Sequence, residues 1–500
     1  MSANIFSTFE SVLLDDPGRS VALLDDGRDI SRQQLLDWSA QIAQLFHLSG
    51  LEPGDRVTVQ IDKSIEGVAL YLACLRAGLV YHPLNTAYQP AELRYFIDNA
   101  EPAAVVFSGP YEENLQSIAE DAGISLCWRL DGDGSGSLMQ QAGKQSLDFD
   151  TVARAPDDLA ALLYSSGTTG RPKGIMLSHG NMAASAHALH KAWAFSRDDV
   201  LLHMLPVFHV HGLFVAIHCV LMSGARMIFL PKFTPELALN YLPQSTVMMG
   251  VPTYYSRLLD SAFNQSHCAN MRLFISGSAP LLMETFQAFE QRTGMRILER
   301  YGMTETNMNS SNPLNDERRA GTVGPALPGT EIRVVDAKGV AVAAGEVGAI
   351  QVRGANVFSG YWRLPAKTAE DFTADGFFNT GDQGTLSADG YLSIVGRAKD
   401  MVISGGLNVY PKEIELLIDE QPGVVESAVI GVPHPDFGEA VVAVIVGEAD
   451  MDQLQALLKR ELANFKQPKK LIAVDSLPRN TMGKVQKAAL RQRYADLFKR

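Results

Sequence analysis

One segment of this 500-residue chain gathers the groups needed to hold a polyanion: Tyr164-Ser165-Ser166-Gly167-Thr168-Thr169-Gly170-Arg171-Pro172-Lys173-Gly174. Its glycines let the backbone approach an anion closely, while the hydroxyls and Lys173 can donate to phosphate oxygens. An apolar run at 159–164 precedes it, so the loop projects from a strand end toward a cleft. The spacing departs from G-x-x-x-x-G-K-[ST], which excludes that phosphate loop. Elsewhere, His209 and His211 stand two apart beside Gly212, but no third ligand follows at a metal-binding spacing, so a pocket wall is expected rather than a metal site. The four cysteines are widely separated and form no C-x-x-C pair. Buried free thiols are therefore expected, not a zinc site or a disulfide framework.

The elements that must position such a loop can be read from hydrophobic periodicity. Short apolar runs at 57–61, 79–83, 103–107, 227–230, 246–250 and 272–276 end in turn residues and read as strands. A helical pattern at 64–78 lies between the first two. Strand–helix alternation of this kind predicts α/β layers with largely parallel sheets. Beyond Gly321 the texture changes. Runs at 331–335, 346–353 and 390–394 alternate in hydropathy between Gly and Asp turns, which predicts an antiparallel, barrel-like β subdomain. A final unit from about 400 has helices at 412–419 and 451–463, strands at 425–432 and 440–446, and a lysine-rich tail, consistent with a small α+β domain.

The composition bounds what such a chain does. It is 46% hydrophobic and 20% charged, ordinary for a globular protein, and too long for a single core. A net charge of -13 argues against nucleic acid or an anionic membrane as a partner. The first sixteen residues lack a basic segment followed by an apolar block, and no apolar run is long enough to span a bilayer. A cytoplasmic enzyme is the resulting expectation.

The loop is one of seven segments that stand in the order found in the adenylate-forming superfamily of acyl-CoA synthetases, luciferases and peptide-synthetase adenylation domains. The others are Phe208-His209-Val210-His211-Gly212, Gly277-Ser278-Ala279-Pro280, Tyr301-Gly302-Met303-Thr304-Glu305, Thr380-Gly381-Asp382, the stretch 396–406 (GRAKDMVISGG) and Asn480-Thr481-Met482-Gly483-Lys484. The chain resembles that superfamily over essentially its whole length. The resemblance implies ATP, Mg²⁺ and coenzyme A as reactants and cofactor. Residues 165–170 and Lys173 would cradle phosphates. Tyr301 would stack on adenine against Ser278, Ala279 and Pro280, with Gly302 behind it. Thr304 would bond the α-phosphate, Asp382 and Arg397 the ribose, and Glu305 with Ser165 would hold Mg²⁺. Lys484 would stabilise the charge that gathers when a carboxylate attacks the α-phosphate. The resemblance also implies a large domain over 1–398 and a mobile small domain over 399–500, hinged at Lys399. Swinging the small domain would replace Lys484 by the Ser404-Gly405-Gly406 loop along the pantetheine path. His209 would border the acyl pocket.

The acid is indicated by Arg300, directly before Tyr301, where relatives acting on fatty or aromatic acids carry a small residue. The string Glu299-Arg300-Tyr301-Gly302-Met303-Thr304-Glu305-Thr306-Asn307-Met308 resembles the malonyl-CoA synthetases of the superfamily. A buried arginine is costly unless it meets an anion, and a substrate with a second carboxylate supplies one in bidentate geometry. The acyl pocket is expected to be lined by the 251–257 segment, with Arg257 assisting, by Ser276, Gly277 and Ser278, by Arg300 and by the 303–308 segment ending at Met308, with His209 at its border; methylmalonate is an expected slower substrate. The competing roles for Arg300 and for the chain are a salt bridge with Glu299, ligation of another short acid, loading of a carrier protein, and nucleotide binding without catalysis.

Overall fold

Two sheets built from alternating strands and helices share one apolar core. The computed structural model describes residues 3–165, 172–404, 407–435, 437–462, 464–480 and 483–499, with Ser165, Leu407 and Asn408 described by backbone alone. Among these, a seven-stranded sheet runs Gly360–Tyr361, Lys173–Ser178, Leu159–Ser165, Val80–Pro83, Arg56–Gln60, Ala104–Phe107 and Leu126–Arg129. An eight-stranded sheet runs Asn307–Ser311, Leu298–Met303, Leu273–Ser276, Val247–Gly250, Val200–His203, Arg226–Phe229, Ser20–Leu24 and Asp29–Ser31. The inner pairings of both are parallel. Antiparallel pairs lie at both ends of the eight-stranded sheet and at one end of the seven-stranded sheet, whose other edge strand, Leu126–Arg129, pairs parallel; Leu298–Met303 with Asn307–Ser311 is one of the antiparallel pairs. Val57, Val59 and Leu163 of the first sheet fall in the same core cluster as Leu201, Met227, Ile275 and Leu298 of the second.

The helix Ile65–Arg76 shows how sequence specifies the filling between them. Ser64 caps it by accepting from Gly67 N, Glu66 sits in its first turn and Arg76 in its last, matching the helix dipole. Every residue from Ile65 to Leu75 is buried, so this helix is enclosed on all sides rather than amphipathic. Gly78, with φ +70°, turns the chain out of the helix into the next strand. The helix His179–Trp193 is fixed at its start by a reciprocal cap between Ser178 and Asn181. At its other end Trp193 is fully buried and donates from Nε1 to Ser311 Oγ at 2.9 Å, tying the helix to the edge strand of the larger sheet.

The segment His211–Ile217 is a π-helix that runs directly into the α-helix His218–Ser223. The sequence marks this stretch as apolar and gives no sign of the wider winding. Gly212 makes it possible: a Cβ there would lie 1.9 Å from the Pro206 carbonyl oxygen.

The antiparallel unit expected past Gly321 is a four-stranded sheet of Thr330–Val335, Gly348–Gly354, Phe378–Leu386 and Leu392–Arg397. The last unit has a five-stranded sheet flanked by helices Pro411–Asp419, Met451–Glu461 and Lys487–Arg493. Its sheet is covered on both faces by its own apolar clusters. Val402, Ile414, Val429, Val441 and Leu458 form one, and Ala428, Ile430, Val442, Leu477 and Leu490 the other. Among the described residues no helix is long and apolar enough to cross a membrane. All four cysteines are free. Cys74, Cys219 and Cys268 are buried, Cys127 is partly so, and burial pushes each thiol pKa up.

Trp193 provides a test of this packing. Trp193→Ala should cost about 3–5 kcal/mol, because it removes a large buried ring and leaves Ser311 without its donor. Val340→Ala, at a 60% exposed position, should stay within about 0.5 kcal/mol. Urea unfolding of both variants measures the difference.

Candidate active site

The strand Leu298–Met303 delivers two functional side chains in succession, and the alternation of a strand sends them to opposite faces. Arg300 enters the layer between strand and helix, where it is only 4% exposed. Tyr301 turns toward the four-stranded sheet, and its hydroxyl donates to Asp382 Oδ2. The hairpin to Asn307–Ser311 is tight. A Cβ on Gly302 would lie 2.0 Å from the Asn307 carbonyl oxygen, and Asn307 itself takes φ +52°. Thr304 and Glu305 occupy that turn.

Asp382 and Arg397 face each other across adjacent strands, with Arg397 Nε 2.7 Å from Asp382 Oδ1. Asp382 N donates to Thr380 Oγ1 at 3.1 Å. The carboxylate therefore anchors the Tyr301 ring from one side and the Arg397 guanidinium from the other. Tyr301 is correspondingly held far above its ordinary pKa, first by burial and then by the Asp382 charge.

Glu305 is 8% exposed, and burial raises its pKa despite the opposing charges of Arg397 and Lys173. No cation pairs with it directly among the described residues, and no cluster of three His, Cys, Asp or Glu surrounds it. A single enclosed carboxylate of this kind fits Mg²⁺, which keeps waters and takes its remaining oxygens from substrate phosphates. Lys173 closes the far side. It stands 4.3 Å from the centre of the Tyr361 ring and 3.9 Å from Asp371 Oδ2. The strands Leu159–Ser165 and Lys173–Ser178 pair antiparallel up to Ser165 opposite Lys173. Ser166, Gly167, Thr168, Thr169 and Gly170, expected to cradle phosphate, lie outside the described residues.

The surroundings of Arg300 hold several buried polar atoms without a partner. Arg300 Nε and Nη2 have no hydrogen-bond partner among the described residues, and neither do Ser276 Oγ, His209 Nε2 and His211 Nε2. The guanidinium lies flat against Gly277, where a Cβ would come within 2.3 Å of its carbon. Burial lowers the Arg300 pKa to about 10, still a cation at neutral pH. His211 Nδ1 is 3.2 Å from Ser278 Oγ, and Ser278 takes φ +71°. Burial holds His209 at a pKa of about 3 and His211 well below its usual value, with the Lys484 and Arg300 charges adding to the respective effects. Both imidazoles are therefore neutral. Met308, 3% exposed, packs closely against Gly302.

Glu299 does not pair with Arg300. It is buried on the other face of the strand, where burial raises its pKa to about 7. Arg257 is exposed on the helix Pro252–Leu259. The residue of that helix that feels the Arg300 charge is Tyr255, which is fully buried and donates to the Ile275 carbonyl at 2.5 Å. Sequence reading expects the 251–257 segment at the acyl pocket but singles out Arg257 there rather than Tyr255, two residues earlier on the same short helix.

The small unit brings Lys484 to this cleft. Asn480 shapes the loop: its side chain accepts from Lys484 N at 2.9 Å, and its N–H donates to the Lys484 carbonyl. The Lys484 ammonium lies within electrostatic reach of Arg397, Asp382, Glu305 and Arg300, and desolvation lowers its pKa first. Lys399 sits in the short turn Ala398–Asp400 with its pKa lowered to about 8, mainly by burial. Ser404 is buried at a strand end, while Gly405 and Gly406 lie outside the described residues.

Comparison with known proteins agrees with this arrangement. Residues 10–362 match the AMP-binding enzyme family, and residues 413–484 match the AMP-binding enzyme C-terminal domain. A malonate–CoA ligase of Arabidopsis thaliana is 34% identical, over 94% of this chain and 86% of its own. The crystal structure of ATP-bound MatB from Rhodopseudomonas palustris is 51% identical, covers both chains fully and superposes with a TM-score of 0.97. The apo form of the same protein superposes at 0.85. With a family match over most of its length, and with the nucleotide-side residues converging as described, the chain belongs to the AMP-binding enzymes.

Proposed function

We propose that this enzyme ligates malonate to coenzyme A through malonyl-AMP, releasing AMP and pyrophosphate. The observation that carries this reading is Arg300, a buried cation with two unpaired nitrogens and no carboxylate partner among the described residues. An isolated buried charge is expensive, and a second substrate carboxylate offsets that cost through charge-assisted hydrogen bonds. The neutral His209 and His211 and the Ser276 hydroxyl offer further polar atoms to the same group. Monocarboxylates would leave the guanidinium unpaired. The likeness to a malonate–CoA ligase and to MatB supports the same choice.

In the first half-reaction a malonate oxygen attacks the α-phosphorus of ATP, and the bond to pyrophosphate breaks. Tyr301, braced by Asp382, presents a face for adenine, and Asp382 with Arg397 lies where the ribose hydroxyls would reach. Thr304 and Lys484 donate to the α-phosphate as charge gathers there. Glu305, with the Ser165 hydroxyl, would hold Mg²⁺, which neutralises phosphate charge when bound. In the second half-reaction the thiol sulfur of coenzyme A attacks the acyl carbon, AMP departs and the thiol proton is lost. Domain rotation about Lys399 would withdraw Lys484 and bring Ser404, Gly405 and Gly406 to the pantetheine path. The better superposition on the ATP-bound than on the apo neighbour supports reading the present arrangement as the adenylating one.

Each role has its own measurement. Lys484→Ala should abolish malonate-dependent ATP–pyrophosphate exchange while leaving thioester formation from supplied malonyl-AMP within about threefold. Equal loss of both would refute the assignment. Lys399→Pro fixes φ at the turn, so one half-reaction should fail while the other persists. Uniform loss in a folded protein would count against alternation about this residue. Arg300→Gly should lower kcat/KM for malonate at least about a hundredfold, because breaking a buried charge pair costs about 3–5 kcal/mol. Activity on butyrate should hold or rise. Parallel losses for both acids would reduce Arg300 to a structural role and remove the main support for malonate.

A further inference from the structure

A second cation, Lys63, also lacks a carboxylate partner among the described residues. Lys63 lies in the loop between the strand Arg56–Gln60 and the helix Ile65–Arg76. Its ammonium donates to His203 Nδ1 at 2.9 Å, to the His203 carbonyl at 3.1 Å and to the Leu230 carbonyl at 2.6 Å. All three of its N–H groups are thereby used. It also sits 4.4 Å from the centre of the Phe229 ring. Burial pulls its pKa well below the ordinary lysine value, and only the more distant Asp25 opposes that. No carboxylate lies within ion-pair distance of it among the described residues.

His203 is 1% exposed and ends the strand Val200–His203. Its other nitrogen, Nε2, is 2.9 Å from the Gly212 carbonyl oxygen. A carbonyl only accepts, so Nε2 carries the proton and Nδ1 presents a lone pair to Lys63. The Lys63 charge adds to burial in keeping the ring neutral, which fixes this tautomer. The result is a directional path: ammonium to imidazole to a backbone carbonyl in the first turn of the π-helix. That carbonyl belongs to the residue after His211, and Leu213 N donates back to the His209 carbonyl at 3.0 Å. The Gly212 backbone packs close to the Pro206 carbonyl, whose oxygen would lie 1.9 Å from a Cβ placed there.

We infer that Lys63 and His203 are positioning residues for the acyl pocket: they clamp the Gly212 carbonyl and so set where His209 and His211 meet the substrate acid. This rests on the malonate-ligating reading for the identity of the acid. Two features separate it from general core packing. The Lys63 ammonium directs each of its three N–H groups at a named acceptor, a directional contact where an apolar side chain would only fill space. The π-helix, a winding found mostly as short insertions at functional sites, starts at the residue pair the clamp holds.

The test compares initial rates of acid-dependent ATP–pyrophosphate exchange, and Tm, across Lys63→Met, His203→Gln and His203→Asn. Glutamine can place an amide N–H where Nε2 stood, keeping the donor to Gly212; asparagine keeps only the acceptor for Lys63. Lys63→Met and His203→Asn should each raise KM for malonate about tenfold or more, with KM for ATP within about twofold of wild type. His203→Gln should keep KM for malonate within about threefold. Equal changes in both KM values that track the loss in Tm, or no difference between the glutamine and asparagine variants, would overturn the inference. Should Lys63→Met not fold, the two His203 variants decide the question between them. Wild-type inactivity with malonate would instead fault the substrate assignment, and the same comparison would then be run with the acid the wild type prefers.

Discussion

The site is organised around a positive charge that cannot be removed. A guanidinium stays protonated at working pH, so once Arg300 points inward everything near it must be neutral, negative or absent. Gly277 supplies the absence: a flat face against which the guanidinium lies, with no room for a side chain. His209 and His211 supply the neutrality, both kept unprotonated by burial and by cations on either side. The fold sends Glu299, the nearest carboxyl in sequence, to the opposite face of the strand, where it cannot quench the charge. An open position for an anion is what remains.

A wider asymmetry surrounds that position. The chain carries a net charge of -13, yet Arg300, Arg397, Lys484 and Lys173 converge on one cleft against Asp382 and Glu305. ATP, pyrophosphate and a dicarboxylate are all polyanions. A cationic cleft set in an acidic surface concentrates them locally without making the protein a general binder of nucleic acid. In the proposed mechanism Lys484 is the movable member of this group: carried on the smaller unit, it would add its charge for the phosphate chemistry and be withdrawn for the thiol.

Much of this was legible before any coordinates. The parallel strands fell within a residue or two of their predicted places, because short apolar runs bounded by turn residues leave few alternatives. Arg300 announced itself by standing where a small residue would suit an apolar acid. What stayed hidden was pairing between residues far apart in sequence. Nothing in the spacing of Lys63, His203 and Gly212 indicates that they touch, and an apolar stretch reads alike whether it winds as an α- or a π-helix. Arg257 is less informative for a related reason: its type suits an anion, while the short helix leaves it exposed and buries Tyr255. The sequence reading of Tyr301 concerns its ring alone, and the bond of its hydroxyl to Asp382 across 81 positions depends on a register that periodicity does not encode.

The treatment of cysteine bears on chemoselectivity. A mixed carboxylic–phosphoric anhydride acylates any thiolate it meets, and the proposed acceptor is itself a thiol. Cys74, Cys219 and Cys268 are shut inside the apolar clusters, and the pKa of every one of the four thiols is raised by burial. Nucleophilicity belongs to the thiolate, so these sulfurs are poor competitors even during transient opening. The protein thus holds an electrophile that would modify its own chain and leaves the incoming cofactor's sulfur as the reactive one, a selectivity achieved by burial rather than by excluding cysteine from the sequence.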